Sequence, residues 1–293
     1  MRVFVLIAAL AMLAACSVRI DERSVFRPQP HPAQAQTVEE LSRWPIEQLR
    51  AETPDAMARH GFMGEGDARI AYTLVSRPVR ARARARRPLI VYCGGNGGDR
   101  YNSGVFYAQK ALTYGDVLLF DYPGYGDSPG QPSAQSFDAM APLVSQLAVR
   151  LSGRRPLIFW GHSLGGFVCS RMARDTRQTD GVILEATARN AIEIAHAWRP
   201  WFAPRLVRIR VQESLAAYDV ATALSHVDAP ILVLGARRDP TLPVRLSRSL
   251  ADALRQEGAR VTYVEFPFAN HIDISRQPEF PGAVSSFFAS VTG

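Results

Sequence analysis

"FWGHSLGG" (residues 159–166) directly follows the apolar run Pro156-Leu157-Ile158, and its reading decides the fold. Gly161-His162-Ser163-Leu164-Gly165 fits the pattern G-x-S-x-G. That pattern carries meaning only where a strand precedes it, a helix follows it, and partner residues come later in the right order. "PLIFW" ahead of it reads as a strand, and "LGGFVCSRMARD" behind it has a helical pattern. A serine at the apex of a strand-turn-helix is forced into an unfavourable backbone conformation. Gly161 and Gly165 are then needed, because side chains there block the close approach of strand and helix. The turn lifts the hydroxyl above the sheet and aims the N–H of Leu164, with the positive end of the helix, at any negative charge forming nearby. A structural serine has no need of glycine on both sides. Ser163 is read as a nucleophile.

Working outward, short apolar runs alternate with amphipathic stretches. "LIVYC" (89–93), "VLLF" (117–120), "LIFW" (157–160), "VILE" (182–185), "ILVLG" (231–235) and "VTYVEF" (261–266) are mostly continuous apolar runs. Strands covered on both faces look like this, as in a parallel sheet. Between them, Phe137, Met140, Val144, Leu147 and Leu151 recur at helical spacing, with Pro142 as a possible kink. Leu246, Leu250 and Leu254 repeat likewise, with Gly258 as the stop. Strands alternating with helices imply an α/β class with a doubly wound sheet. The earlier alternating run "RIAYTLV" (69–75) is expected as an antiparallel edge strand, and residues 37–50 as a short helix broken near Pro45.

A serine hydroxyl is a poor nucleophile until a base takes its proton and a third group orients that base. In open α/β sheets such groups emerge at the carboxyl ends of strands. Asp239 is the first carboxylate beyond "PILVLG", and His271 is the only histidine beyond "VTYVEFP". His162 adjoins the serine and is expected to pack; His226 precedes its strand, His31 and His60 come too early, and His196 falls in a presumed cap. Glu185 is the reserve acid, whereas Asp273 lies too close to His271 to orient it. The developing oxyanion needs two N–H donors. Leu164 is one; Asn96, in the loop "GGNGGD" after "LIVYC", is favoured for the other, with Gly95 as alternate. No G-x-x-x-x-G-K-[ST] pattern supports reading that loop as a phosphate cradle.

The chain has 293 residues, 47% hydrophobic and 21% charged, with a formal net charge of +7. No nucleic-acid motif accompanies the charge, so no nucleic-acid partner is expected. Much of the excess sits in "RPVRARARARRP" (77–88), read as a solvated loop that also suits anionic head groups. Residues 1–15, with Arg2 ahead of an apolar run, read as a signal peptide too short to span a bilayer. "LAAC" (13–16) resembles the bacterial lipobox, which implies a lipidated Cys16; the alternative is a plain signal peptide with an incidental cysteine. Ser17 in place of Asp implies, by the same resemblance, an outer-membrane anchor facing the periplasm. Residues 16–36 are Pro- and Gln-rich and expected to be an extended tether ahead of a domain over 37–293. Cys93 and Cys169 are expected as buried free thiols, although a periplasmic disulfide is permitted.

The motifs "GGNGGD", "FDYPGYGDSPG", "GHSLGG", "DPTLP" and "NH", spread over residues 89 to 271, resemble those of the α/β-hydrolase superfamily, near its Bem46-like and S33 aminopeptidase-like members. The resemblance implies an α/β-hydrolase fold with a mostly parallel sheet and a short cap, about 186–225, between its sixth and seventh strands. It implies a Ser163, Asp239, His271 triad, Asn96 and Leu164 as oxyanion donors, and a scaffold role for Asp121. Cleavage of an ester, thioester or amide of a small acyl substrate is the implied activity, with no cofactor and no metal. Acyl transfer on the same triad and an idle binding lipoprotein remain alternatives. The chain departs from its relatives at Gly94-Gly95, where His-Gly is common, and at Ala236, where Gly is. Nothing in it sets the oligomeric state.

Overall fold

The computed structural model describes residues 17–199 and 208–292. All six continuous apolar runs are strands: β4 (Leu89–Cys93), β5 (Asp116–Phe120), β6 (Leu157–His162), β7 (Gly181–Glu185), β9 (Ile231–Ala236) and β10 (Val261–Phe266). They pair in parallel in the order β10-β9-β7-β6-β4-β5. Two antiparallel strands, β3 (Ile70–Ser76) and then β2 (Met57–Met63), complete an eight-stranded sheet beside β5. The expected edge strand is therefore one place in from the edge. β2, whose inner residues alternate around Gly61, covers it.

Strands β4, β5, β6, β7 and β9 are buried on both faces, which is why they read as apolar runs, whereas the edge strands β2 and β10 are partly exposed. Leu89, Val91, Val182 and Leu184 pack into one core with Phe137, Val144 and Leu250, from the helices Ala134–Ser152 and Arg245–Gln256. Ile90, Tyr92, Trp160 and Ile183 pack into a second core with Ala108 and Phe287, from the helices Gly104–Leu112 and Phe280–Thr292. The period-two alternation of each strand divides its side chains between the two layers. Pro142 sits inside the helix Ala134–Ser152 without ending it. The break at Pro45 falls as expected, between the helices Val38–Leu41 and Ile46–Arg50.

Strand order reverses between β4 and β6, because β5 follows β4 on one side and β6 lies on the other. The loops leaving these two strands open a crevice at the carboxyl end of the sheet, where such folds place ligands. The loop after β4 holds Gly94, Gly95 and Asn96; the turn after β6 holds Ser163.

Further expectations need correction. Residues 17–36 are not a detached tether. β1 (Ser17–Ile20) pairs in parallel with β8 (Arg208–Val211), Phe26 is buried against Phe137, and the Ala35 N–H donates to Asp127 Oδ1 at 2.9 Å. Scattered apolar residues without a period anchored this segment, so no periodic signal announced it. Cys93 and Cys169 are not free thiols either; they form a disulfide between the end of β4 and the helix Leu164–Asp175. The arginine-rich stretch is exposed, as expected, but forms a short helix, Ala81–Arg86. Cys16 and the signal segment lie outside the described residues, as do cap residues 200–207.

Candidate active site

Ser163 joins β6 to the helix Leu164–Asp175 at φ 54° and ψ −118°, in the left-handed region that L side chains avoid. Its neighbours hold that geometry. The Ser163 N–H donates to the Glu185 carbonyl at 2.9 Å, and its own carbonyl accepts from Thr187 Oγ1 at 2.8 Å. A side chain at Gly165 would collide with the Cys93 and Gly94 carbonyls, and one at Gly161 with the Gly165 backbone. The flanking glycines are thus fixed by close approach.

Asp239 follows β9 and His271 follows β10. His271 Nδ1 lies 2.6 Å from Asp239 Oδ2, with both side chains largely shielded from solvent. Asp239 Oδ1 accepts from the backbone N–H groups of Thr241 and Leu242 at 2.7 and 2.8 Å. The carboxylate is held on one oxygen and presents the other to the imidazole. Backbone bonds from Arg237 N–H to the Phe266 carbonyl and from Arg238 N–H to the Ala269 carbonyl tie the two loops together. Asp273 instead accepts from the Asn270 N–H and closes the turn around His271.

Ser163, Leu164 and Asn96 line one cavity of about 150 Å³, mostly apolar, which also includes Phe167, Trp198 and Leu242. The Asn96 side chain is tied through both of its polar atoms: Oδ1 accepts from the Arg27 N–H and the Tyr125 hydroxyl, both at 2.9 Å, and Nδ2 donates to the Val25 carbonyl at 2.6 Å. Glu185, the reserve acid, is engaged by partners other than His271. It binds Lys110 Nζ through both oxygens, at 2.9 and 3.0 Å, and accepts from Trp160 Nε1 at 3.0 Å. Burial works to raise Glu185, but the charge and hydrogen bonds of Lys110, with smaller contributions from His162 and the Trp160 N–H, together leave the carboxyl below its ordinary range.

His162 packs, as expected, and does more. Its ring lies 5.0 Å from that of His271, and its Nε2–H donates to the His271 backbone carbonyl at 2.9 Å. Burial, with smaller contributions from Lys110 and His271, pushes its pKa down to about 4. Of the other histidines, His60 binds Thr73 in the sheet, and His196 and His226 are exposed.

The scaffold around Asp121 was only half legible in the sequence. Asp121 Oδ1 accepts from the Arg100 N–H at 2.5 Å and Oδ2 from the Asp127 N–H at 2.9 Å; burial pushes its pKa up to about 6 against the pull of Arg100. Arg100, wholly buried, also binds Asp127 and Thr73. A charged residue ending "GGNGGDR" gave no periodic cue to its burial. Among the described residues, no group of three or more His, Cys, Asp or Glu side chains is placed to hold a metal ion.

Residues 88–208 match the family model described as the alpha/beta hydrolase fold. The chain is 29% identical over 233 residues to the lysophosphatidylserine lipase ABHD12 of Danio rerio, covering 70% of this chain and 59% of that protein. An uncharacterized protein of Mycobacterium tuberculosis is 30% identical over 189 residues, covering 64% of this chain and 63% of its own length. The chain thus spans somewhat over half the length of the curated relatives it matches. Among solved structures, the Pyrococcus furiosus esterase Pf2001 superposes with a TM-score of 0.62 at 15% identity, covering 92% of this chain and 98% of that one. A hydrolase from Pseudomonas aeruginosa does so with a TM-score of 0.55 at 22% identity, covering 78% and 97%.

Proposed function

We propose that this chain, which carries the α/β-hydrolase fold and is similar to a lysophosphatidylserine lipase, is a serine hydrolase cleaving carboxylic esters through an acyl-enzyme. The observation that carries this reading is the 2.6 Å bond from His271 to Asp239, at the same end of the sheet as the strained Ser163 turn. With its Nδ1–H engaged by Asp239, the imidazole of His271 keeps Nε2 as the proton acceptor. Ser163 Oγ attacks the ester carbonyl carbon as its proton passes to Nε2, and the carbonyl electron pair moves onto oxygen. The N–H groups of Leu164 and Asn96 receive that oxyanion. Collapse expels the alcohol, which takes the proton from His271. Water then repeats the sequence, releasing the acid and restoring Ser163.

The apolar lining of the cavity favours an acyl group over a charged one. Lipidation of Cys16 is part of the same reading, with the protein anchored in the outer membrane and facing the periplasm. The Cys93–Cys169 disulfide supports export, since disulfides persist in oxidising compartments. Ile20, which lines the cavity, is only four residues beyond Cys16 in the sequence. No helix among the described residues is long and apolar enough to cross a membrane.

Labelling with a fluorophosphonate, paired with hydrolysis of 4-nitrophenyl esters of graded chain length, tests the reading. Labelling and turnover that vanish together in Ser163→Ala are expected. An unlabelled wild-type protein with no turnover of any ester overturns it.

A further inference from the structure

The cavity beside Ser163 is not built from the hydrolase sheet and its helices alone. Ile20, Val25 and Phe26 form part of its wall, facing Phe137, Leu164 and Trp198. These three residues belong to the segment that composition marks as a tether, yet several bonds to distant parts of the chain hold it in place. The Gln212 N–H donates to the Ile20 carbonyl at 2.8 Å, and the Ala134 N–H to Glu22 Oε1 at 3.1 Å. Ser214 Oγ also donates to Glu22 Oε1, at 2.6 Å. The segment also grips the loop after β4. Asn96 is the residue where both ends of that grip meet, accepting from the Arg27 N–H and donating to the Val25 carbonyl.

We propose that residues 20–27 are a working part of the site, in which Ile20 and Val25 set the length of acyl chain accepted and the Val25–Arg27 backbone positions Asn96. This rests on the serine-hydrolase reading and adds the substrate class. A cavity of about 150 Å³ holds a group the size of benzene, which matches a short to medium acyl chain. Its mostly apolar wall disfavours a carboxylate or ammonium on that chain. Asn96 is the positioning point: its side chain is bonded to the strap and to Tyr125, which fixes the backbone whose N–H is proposed to serve the reaction.

The test uses the full chain and its Val25→Ala, Val25→Trp and Asn96→Ala variants, with melting temperatures to confirm folding. For 4-nitrophenyl esters from acetate to dodecanoate, Val25→Ala is expected to move the kcat/KM optimum to longer chains. Val25→Trp should cut turnover of the longer esters by about tenfold or more relative to acetate, the scale on which a methylene is discriminated in an apolar pocket. Asn96→Ala keeps the backbone N–H but releases the strap. It should lower kcat on acetate by about tenfold with little change in KM, as loss of an interaction made only in the transition state does.

Chain-length profiles unchanged in both Val25 variants overturn the wall. An unchanged kcat in Asn96→Ala overturns the positioning role. If Val25→Trp fails to fold, Val25→Ala alone decides. Should the wild-type protein hydrolyse nothing, the function proposed above fails separately. Binding of fatty acids from butyrate to dodecanoate to Ser163→Ala, with and without Val25→Ala, then decides the wall, and an unchanged length preference sinks it.

Discussion

The Nε2–H of His162 donates to the backbone carbonyl of His271 at 2.9 Å, so the residue before the serine holds the loop that carries the second imidazole. This bond fixes the tautomer: Nε2 carries the proton and Nδ1 is left with a lone pair. Nδ1 is buried without a hydrogen-bond partner and faces Gly95, where any side chain would crowd it, with a Cβ at 2.8 Å. Gly95, the second glycine of the Gly94-Gly95 pair, thus makes room for the His162 ring. A neutral ring in this place costs less than a charged one, in keeping with the depressed pKa.

Replacing His162 by Gln keeps an N–H donor of similar reach, whereas Leu removes it. His162→Leu should lower kcat by about tenfold or more, because a small displacement of a reacting group is costly. His162→Gln should recover most of that loss; equal loss in both variants excludes the bond as the cause. Stability separates them from the wild type differently. The folded pKa near 4 lies below the ordinary 6.5, so between these values the unfolded chain binds a proton that the folded chain refuses. The contribution is fully present above about pH 6.5 and is lost as pH falls toward 4, on the order of 3 kcal/mol at most. Urea midpoints across this range should fall more steeply for the wild type than for His162→Gln. Parallel curves contradict it.

Asp239→Asn leaves the loop packing in place but turns an amide toward His271. One oxygen can still receive the Thr241 and Leu242 N–H groups, while the NH2 now faces Nδ1 and drives the proton to the wrong nitrogen. Turnover should fall by about 10⁴-fold with the melting temperature nearly unchanged. A fall of less than about tenfold removes Asp239 from the reaction.

What was legible in the sequence follows from periodicity and from chemistry at strand ends. Strand β4 matches the apolar run "LIVYC" residue for residue, since burial on both faces leaves an unbroken apolar signature, and the partly exposed edge strand β10 matches "VTYVEF" through its β-branched and aromatic residues. Ser163, Asp239 and His271 stood out because a strand end or a tight turn preceded each. Val25 and Phe26 did not, because a strap held by backbone bonds to Gln212, Asn96 and Asp127 needs no repeating pattern. The Cys93–Cys169 pair was hidden for a related reason. Its residues lie 76 apart, and only the pairing of β4 with β6 brings them together.

That disulfide pins the strand leading into the Asn96 loop to the helix that follows Ser163. Closing a loop of this length restricts the unfolded chain, and chain-entropy arguments give on the order of 4 kcal/mol. The Cys93→Ala/Cys169→Ala protein should lose stability on that scale in urea titration under oxidising conditions. Both sulfur-bearing residues are wholly buried, so dithiothreitol should lower the wild-type midpoint without releasing thiols from the folded state. Rapid thiol release from the native protein, measured with a chromogenic disulfide, contradicts this.

Beneath Ser163, Lys110 and Glu185 form an ion pair almost wholly removed from solvent, with the ammonium 5.1 Å from the Tyr92 ring centre. Burial lowers the Lys110 pKa, and Glu185 opposes that shift; both charges persist because each has the other. Lys110→Met strips one partner and leaves Glu185 a buried carboxylate with only the Trp160 N–H to answer it. A loss of about 3–5 kcal/mol is expected. Lys110→Met/Glu185→Gln removes both charges while keeping an acceptor for Trp160, and should recover most of that loss. The Ser163 turn feels the same pair through the Glu185 carbonyl, which accepts the Ser163 N–H, so activity should return with stability in the double variant. A double variant as unstable as Lys110→Met assigns the cost to packing around Tyr92 and Phe106 instead of to the unpaired charge.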